Sequence, residues 1–179
     1  MFINQKISKF LIFIFCFSIF SSISQTNEDV PLNNIAINEI PKPISSLIFE
    51  DFLGNKINLK DYKGKLVIIN FWATWCAPCK KEMPSLDSLH QNESFKNLQI
   101  FAVNMEQPNK FKTKKFFDDL KIKNLNIFFD ENLNFVKEFK LRGVPTTILI
   151  NKKGKEFARI LGEVDFEGKK FLKWLKKYD

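Results

Sequence analysis

The sequence predicts an α/β fold, a mixed central sheet flanked by helices on both faces and preceded by an N-terminal β-hairpin. Three observations predict it. Leu66 to Phe71 is a continuous apolar run rich in β-branched residues, the pattern of a strand buried on both faces, and Leu98 to Val103 reads as the next buried strand. Helical periodicity follows each run, and such strand–helix alternation gives a parallel portion. Late in the chain, Asn151-Lys152-Lys153-Gly154 separates two further apolar runs, a hairpin signal that adds an antiparallel edge.

The elements follow in order. Residues 1–24 carry Lys6 and Lys9, then an apolar stretch from Phe10 to Phe20, then Ser21, Ser22 and Ser24. Positive flank, short apolar run and small-residue exit make a secretory signal. The run falls short of the ~20 residues of a spanning helix. Counted from Ile7 to Ile23 it lengthens, so a retained membrane anchor stays open beside cleavage after Ser24. Residues 25–44 hold Pro31, Pro41 and Pro43 among polar residues and read as an extended linker. The domain proper is then 45–179.

Ser46 to Leu59 has two short apolar runs around Gly54-Asn55, the expected hairpin. After the strand at Leu66 a helix is expected from about Cys76 to His90. After the strand at Leu98 another covers Lys110 to Leu120, with Phe116, Phe117 and Leu120 on its apolar side. Asn126 to Phe129 reads as a short strand, and Leu133, Val136 and Phe139 mark a short amphipathic helix. Thr146 to Ile150 and Lys155 to Leu161 are the late hairpin. The last helix is expected from Asp165, an N-cap residue type, to Tyr178.

Composition bounds the function. The 179 residues suit one domain plus extensions, and 45% hydrophobic with 27% charged residues is ordinary for a globular chain. The 21 phenylalanines predict an aromatic-rich core. The net charge of +8 comes from scattered lysines, with no Arg-rich cluster and no nucleic-acid motif, so no nucleic-acid partner is expected. A basic surface can favour anionic membranes or acidic partners, or be only a solvated face. The three cysteines exclude a disulfide-stapled scaffold: Cys16 lies in the apolar N-terminal run, and one close pair cannot tie distant segments together.

That pair carries the chemistry. Phe71-Trp72-Ala73-Thr74-Trp75-Cys76-Ala77-Pro78-Cys79-Lys80 begins where a buried strand ends and a helix starts. Cysteines three apart in a first helical turn share one face, about 5–6 Å between Cα atoms, within reach of a disulfide. Cys76 falls at the helix N-terminus, where unpaired N–H groups and the helix dipole favour a thiolate. Cys79, one turn deeper, is placed to resolve a mixed disulfide. A zinc site wants four ligands, and one cysteine pair with a single histidine, His90, does not supply them. No metal or other cofactor is expected.

The segment Asn70 to Pro84, NFWATWCAPCKKEMP, resembles the active site of the TlpA/ResA-like branch of the thioredoxin superfamily. The similarity runs from about Ser46 to Tyr178 and includes Asp51, Gly54, Leu59, Lys63-Gly64-Lys65 and Gly143-Val144-Pro145-Thr146-Thr147. The resemblance implies a thioredoxin-like fold and dithiol–disulfide exchange with protein substrates. It implies that Pro145 is a cis-proline lying against the cysteine pair, with Val144 and Trp75 beside the bound substrate. Without it, a trans proline opening an edge strand is the simpler reading. Pro84 resembles the family's helix-kinking proline; taken alone it breaks the helix.

Where cytoplasmic thioredoxin has a buried aspartate for proton transfer, this chain has Asn70, which cannot titrate. Glu82, three residues past Cys79, matches the branch's acidic residue and is a candidate for handling the Cys79 proton; a solvated helix glutamate is the alternative. The resemblance further implies a reductant in the periplasm or at the outer face of the cytoplasmic membrane, supplied by a membrane thiol donor. Apocytochrome c thiols, in cytochrome c biogenesis, are one such substrate. A peroxiredoxin-like peroxidase and a thiol-based metal-binding chaperone are the other classes open to a CxxC pair.

Overall fold

The structure, a computed structural model, describes residues 33–179. The expected signal or anchor at 1–24, with Cys16, and the first part of the expected linker lie outside the described residues.

Eight strands form one sheet: β1 (Ile35–Pro43), β2 (Ile48–Asp51), β3 (Lys56–Asn58), β4 (Leu66–Trp72), β5 (Leu98–Asn104), β6 (Ile127–Phe129), β7 (Thr146–Ile150) and β8 (Lys155–Leu161). Their spatial order is β1-β8-β7-β4-β5-β6-β2-β3. The apolar runs β4 and β5 pair in parallel, as does β6 with β5, while β7 runs antiparallel to β4 and β8 antiparallel to β7. The helices are α1 (Ala77–His90), α2 (Lys110–Asp119), α3 (Asn134–Phe139) and α4 (Lys169–Leu175). The mixed sheet flanked by helices is the one the sequence predicts.

Strand alternation sorts the core into two layers. Leu66, Ile68 and Trp72 of β4 face a cluster built with Met83 and Leu86 of α1, Phe116 of α2 and Phe171 of α4. Val67, Ile69 and Phe71 face the other way, onto Phe49, Phe101, Phe128 and the α3 residues Phe135 and Phe139. The phenylalanines meet largely edge to face, as in Phe49–Phe101 at 5.0 Å between centroids and Phe101–Phe128 at 5.1 Å, the arrangement ring quadrupoles favour. Asn70 shares the face of Ile68 and Trp72, which turns its amide toward α1 within a buried layer.

Two expectations need correction. The segment read as linker contains β1, which pairs with β8 from Ile35↔Ile160 to Pro43↔Lys155 across an irregular register. Pro41 and Pro43 suggested a linker, yet an edge strand tolerates proline because one side of it has no ladder to lose. The last helix begins not at Asp165 but after Gly168. Asp165 instead closes a turn, its Oδ1 accepting from Glu167 N and its carbonyl from Gly168 N. As expected for a helix from about Cys76 to His90, α1 continues through Pro84. Pro84 is exposed, so the carbonyl it leaves without a helical donor can meet water.

Candidate active site

The site gathers at the C-terminal ends of β4 and β5, where parallel strands leave a crevice. Beyond Trp72 the chain turns through Ala73-Thr74-Trp75 into α1, and Cys76 is the N-cap residue. Its Sγ accepts from the backbone N–H of Cys79 at 3.2 Å. One orphan donor of the first turn is therefore aimed at the sulfur that would carry charge. Pro78 falls in that first turn, where a missing N–H costs nothing. Cys76 and Cys79 are joined as a disulfide with Cα atoms 5.3 Å apart. Cys76 is 3% exposed and Cys79 is sealed, so the outer sulfur is the one a partner can approach.

One turn past Cys79, Glu82 is also buried, at 2% exposure. Its Oε1 accepts from Asn70 Nδ2 at 2.7 Å and its Oε2 from the backbone N–H of Val164 at 3.1 Å. Asn70 Nδ2 also donates to Thr147 Oγ1, at 3.0 Å. Burial pushes the Glu82 carboxyl up to about 7, against the opposing pull of the two donors; the Glu163 charge adds a little in the same upward direction. The residue is thus poised to gain or lose a proton near neutrality, and it is not a solvated helix glutamate.

A second carboxylate holds the turn before Cys76. Glu106, just past the end of β5, accepts from Thr74 N at 2.6 Å and from Thr74 Oγ1 at 3.1 Å. Lys112 Nζ donates at 2.5 Å to Oε1, the oxygen that also accepts from the Thr74 hydroxyl. Burial alone would raise this acid, but Lys112 and the Thr74 donors, with Asn104, hold it down at about 2. Sequence reasoning passed over Glu106. The available signal was its position, an acid immediately beyond the C-terminal end of a buried strand parallel to the one that carries the cysteines.

The Val144–Pro145 peptide bond is cis. In the β4–β7 ladder Phe71 faces Thr146 and Asn70 faces Thr147. Pro145 therefore lies just beyond the paired end of β7, at the level where β4 gives way to the cysteine turn. Val144 packs against the buried cluster that contains both cysteines. Trp75, one residue before Cys76, is 69% exposed and is not part of the packed core. His90 lies in the last turn of α1, at the far end from the cysteines. Among the described residues no group of three or more His, Cys, Asp or Glu side chains could hold a metal ion. No helix among them is long and apolar enough to cross a membrane.

Comparison with known proteins agrees with this geometry. The family model described as AhpC/TSA family matches residues 40–155. The chain is 36% identical over 125 residues to the thiol-disulfide oxidoreductase ResA of Bacillus thuringiensis subsp. konkukian, covering 70% of this chain and 71% of that one. It is 30% identical over 162 residues to ResA of Bacillus subtilis, covering 90% and 85%. Among solved structures, the pneumococcal exposed lipoprotein thioredoxin of Streptococcus pneumoniae superposes with a TM-score of 0.63 at 26% identity, covering 74% of this chain and 99% of that one.

Proposed function

Since the chain belongs to the AhpC/TSA family, as a ResA-like thiol–disulfide oxidoreductase that exchanges disulfides through Cys76 and Cys79, we propose that it works in the reducing direction on exported protein disulfides. The observation that carries the direction is the buried carboxyl of Glu82, one turn past Cys79. Strong oxidants of this chemistry owe their potential to a stabilised thiolate. Here the Cys76 sulfur accepts one backbone N–H, Ala77-Pro78 carries no charge, and the acid nearby in sequence on the same helix is anionic or neutral, never cationic. Each of these leaves the thiolate modestly stabilised and the disulfide the favoured product.

In the reaction, the Cys76 thiolate attacks one sulfur of a substrate disulfide and expels the other as a thiolate. Glu82 accepts the proton of Cys79, whose sulfur then attacks Cys76 Sγ and releases the second substrate thiolate. Two electrons pass from the pair to the substrate, and the pair is left as the disulfide. Trp75, Val144 and the cis peptide at Pro145 frame the segment of substrate that carries the disulfide. A membrane thiol donor then restores the dithiol.

Export is supported by the signal-like composition of residues 1–24, whether cleaved or retained as an anchor. The similar pneumococcal structure is of an exposed lipoprotein. Both support a location in the periplasm or at the outer face of the cytoplasmic membrane. Apocytochrome c thiols are a substrate of the right chemistry, a close cysteine pair that oxidises readily in such a compartment.

The test is the midpoint potential of the Cys76/Cys79 couple, equilibrated in dithiothreitol redox buffer. A value more reducing than about −230 mV supports the direction, and one near −120 mV, the range of dedicated oxidants, overturns it.

A further inference from the structure

We propose that the groove flanking Pro145 selects polypeptide substrates with acidic side chains beside the reacting cysteine. This deepens the functional reading above and rests on it. The groove, of about 580 Å³, runs from the end of α3 to the end of β8. Pro145 and Val144 form its inner wall, next to the cysteine turn, and Leu161, 57% exposed, gives it an apolar side. Its charged lining is entirely basic: Lys140, Arg142 and Arg159, with no Asp or Glu.

The three cations differ in what they have left to offer. Arg159 is engaged, its guanidinium bound to Glu156 Oε1 and to the carbonyl of Phe139. Lys140 and Arg142 are exposed and make no ion pair with any described residue. Of the acids on or next to β8, Glu156 is held by Arg159, and Glu163, just past Gly162, is held by Lys81. Two uncommitted positive charges therefore stand over an apolar groove at the redox end of the molecule. An extended segment docked along Val144 with its cysteine at Cys76 would pass its neighbouring side chains beneath them. Charge at such a rim acts on encounter rate and partner choice, and it is screened by salt.

The experiment compares two disulfide-linked peptides that are identical except for two residues next to the reacting cysteine, Glu-Glu in one and Lys-Lys in the other. The full chain, reduced, is mixed with each, and the rate of peptide reduction is followed. At low salt the acidic peptide should react about tenfold faster, the sum of two exposed charge pairs. The difference should shrink at about 1 M salt. Neutral hydroxyethyl disulfide serves as the control for the exchange chemistry itself. In a Lys140→Glu/Arg142→Glu variant the preference should reverse while the hydroxyethyl disulfide rate holds. Equal rates for the two peptides in the unmodified protein, with normal hydroxyethyl disulfide turnover, overturn the proposal without recourse to any variant. Failure of the unmodified protein to reduce hydroxyethyl disulfide overturns the functional reading beneath it.

Discussion

Asn70 Nδ2, in the middle of β4, donates across 2.7 Å to Glu82 Oε1 on α1, in a layer closed to water. An amide thus stands against the carboxyl where a second acid would have forced a shared proton. Replacing Asn70 with aspartate creates that second acid. Two carboxyls at this distance cannot both ionise, so one of them should titrate well above the value of about 7 that Glu82 has alone. The pH dependence of Cys79 reactivity in Asn70→Asp should move upward accordingly. A profile superimposable on the unmodified protein's would show that Glu82 does not communicate with the pair.

Glu82 also makes stability depend on pH. Its folded pKa is raised above the unfolded value of 4.5 to about 7. The protonated carboxyl is the form the fold accepts, so the full stability is present below about 4.5 and is lost as pH rises through 7. The difference is on the order of 3 kcal/mol, since one unit corresponds to about 1.4 kcal/mol. In Glu82→Gln that slope should vanish, leaving the variant more stable than the unmodified protein at pH 8 and close to it at pH 4. Urea denaturation of the oxidised forms across this range measures it. An unchanged slope in the variant would assign the pH dependence elsewhere.

The division of labour between the sulfurs follows from their depth. Cys79 is sealed and Cys76 stands at the helix cap. Cys79→Ser should accumulate mixed disulfides through Cys76, because the resolving attack is gone while the attacking sulfur remains. Cys76→Ser should trap at least tenfold less, its remaining thiol being buried away from partners. Non-reducing gels of exported-protein extracts compare the two. Equal trapping by both variants contradicts the assignment.

Much of this was legible in the residues, and what was not has physical causes. Cys76 and Cys79 announce themselves because a buried strand, a CxxC and a helix fall within ten positions, and local chemistry fixes which sulfur is outermost. Pro145 was legible only by resemblance, since nothing local distinguishes a cis from a trans bond before a strand. Glu82 was ambiguous because its burial is set from afar: Val164 lies 82 residues on and Thr147, the other partner of Asn70, 77 residues from that amide. β1 was read as linker because prolines speak against a strand interior, and edge position is a property of the assembled sheet rather than of the segment.

Asp87, on α1 but outside the redox site, should separate stability from chemistry. Its carboxylate accepts from the backbone N–H groups of Lys123, Asn124 and Leu125, and from Asn124 Nδ2, between 2.9 and 3.2 Å. Asp87→Ala leaves Leu125 N, which is buried, without its partner, and should cost about 2–4 kcal/mol. The midpoint potential of Cys76/Cys79 should not move. A shift in potential comparable to the stability loss would mean that the clamp on this loop reaches the cysteines.

Glu106 should do the reverse. It grips Thr74 through both backbone N–H and hydroxyl, two residues before Cys76, and is itself fixed by Lys112. Glu106→Gln keeps the size of the side chain but gives up the charge and one acceptor, and an amide cannot take both Thr74 donors and Lys112 as well. The turn that delivers Cys76 to the helix cap should loosen, with a modest stability loss of about 1–2 kcal/mol. The informative readout is the Cys76 thiolate: misaligned from the Cys79 N–H, it should react several-fold more slowly with a neutral alkylating agent at pH 7. Because the folded Glu106 acid sits at about 2, the unmodified protein should keep this alignment down to about pH 3. Unaltered Cys76 alkylation in a folded Glu106→Gln variant would reduce the contact to scaffolding, with no hold on the nucleophile.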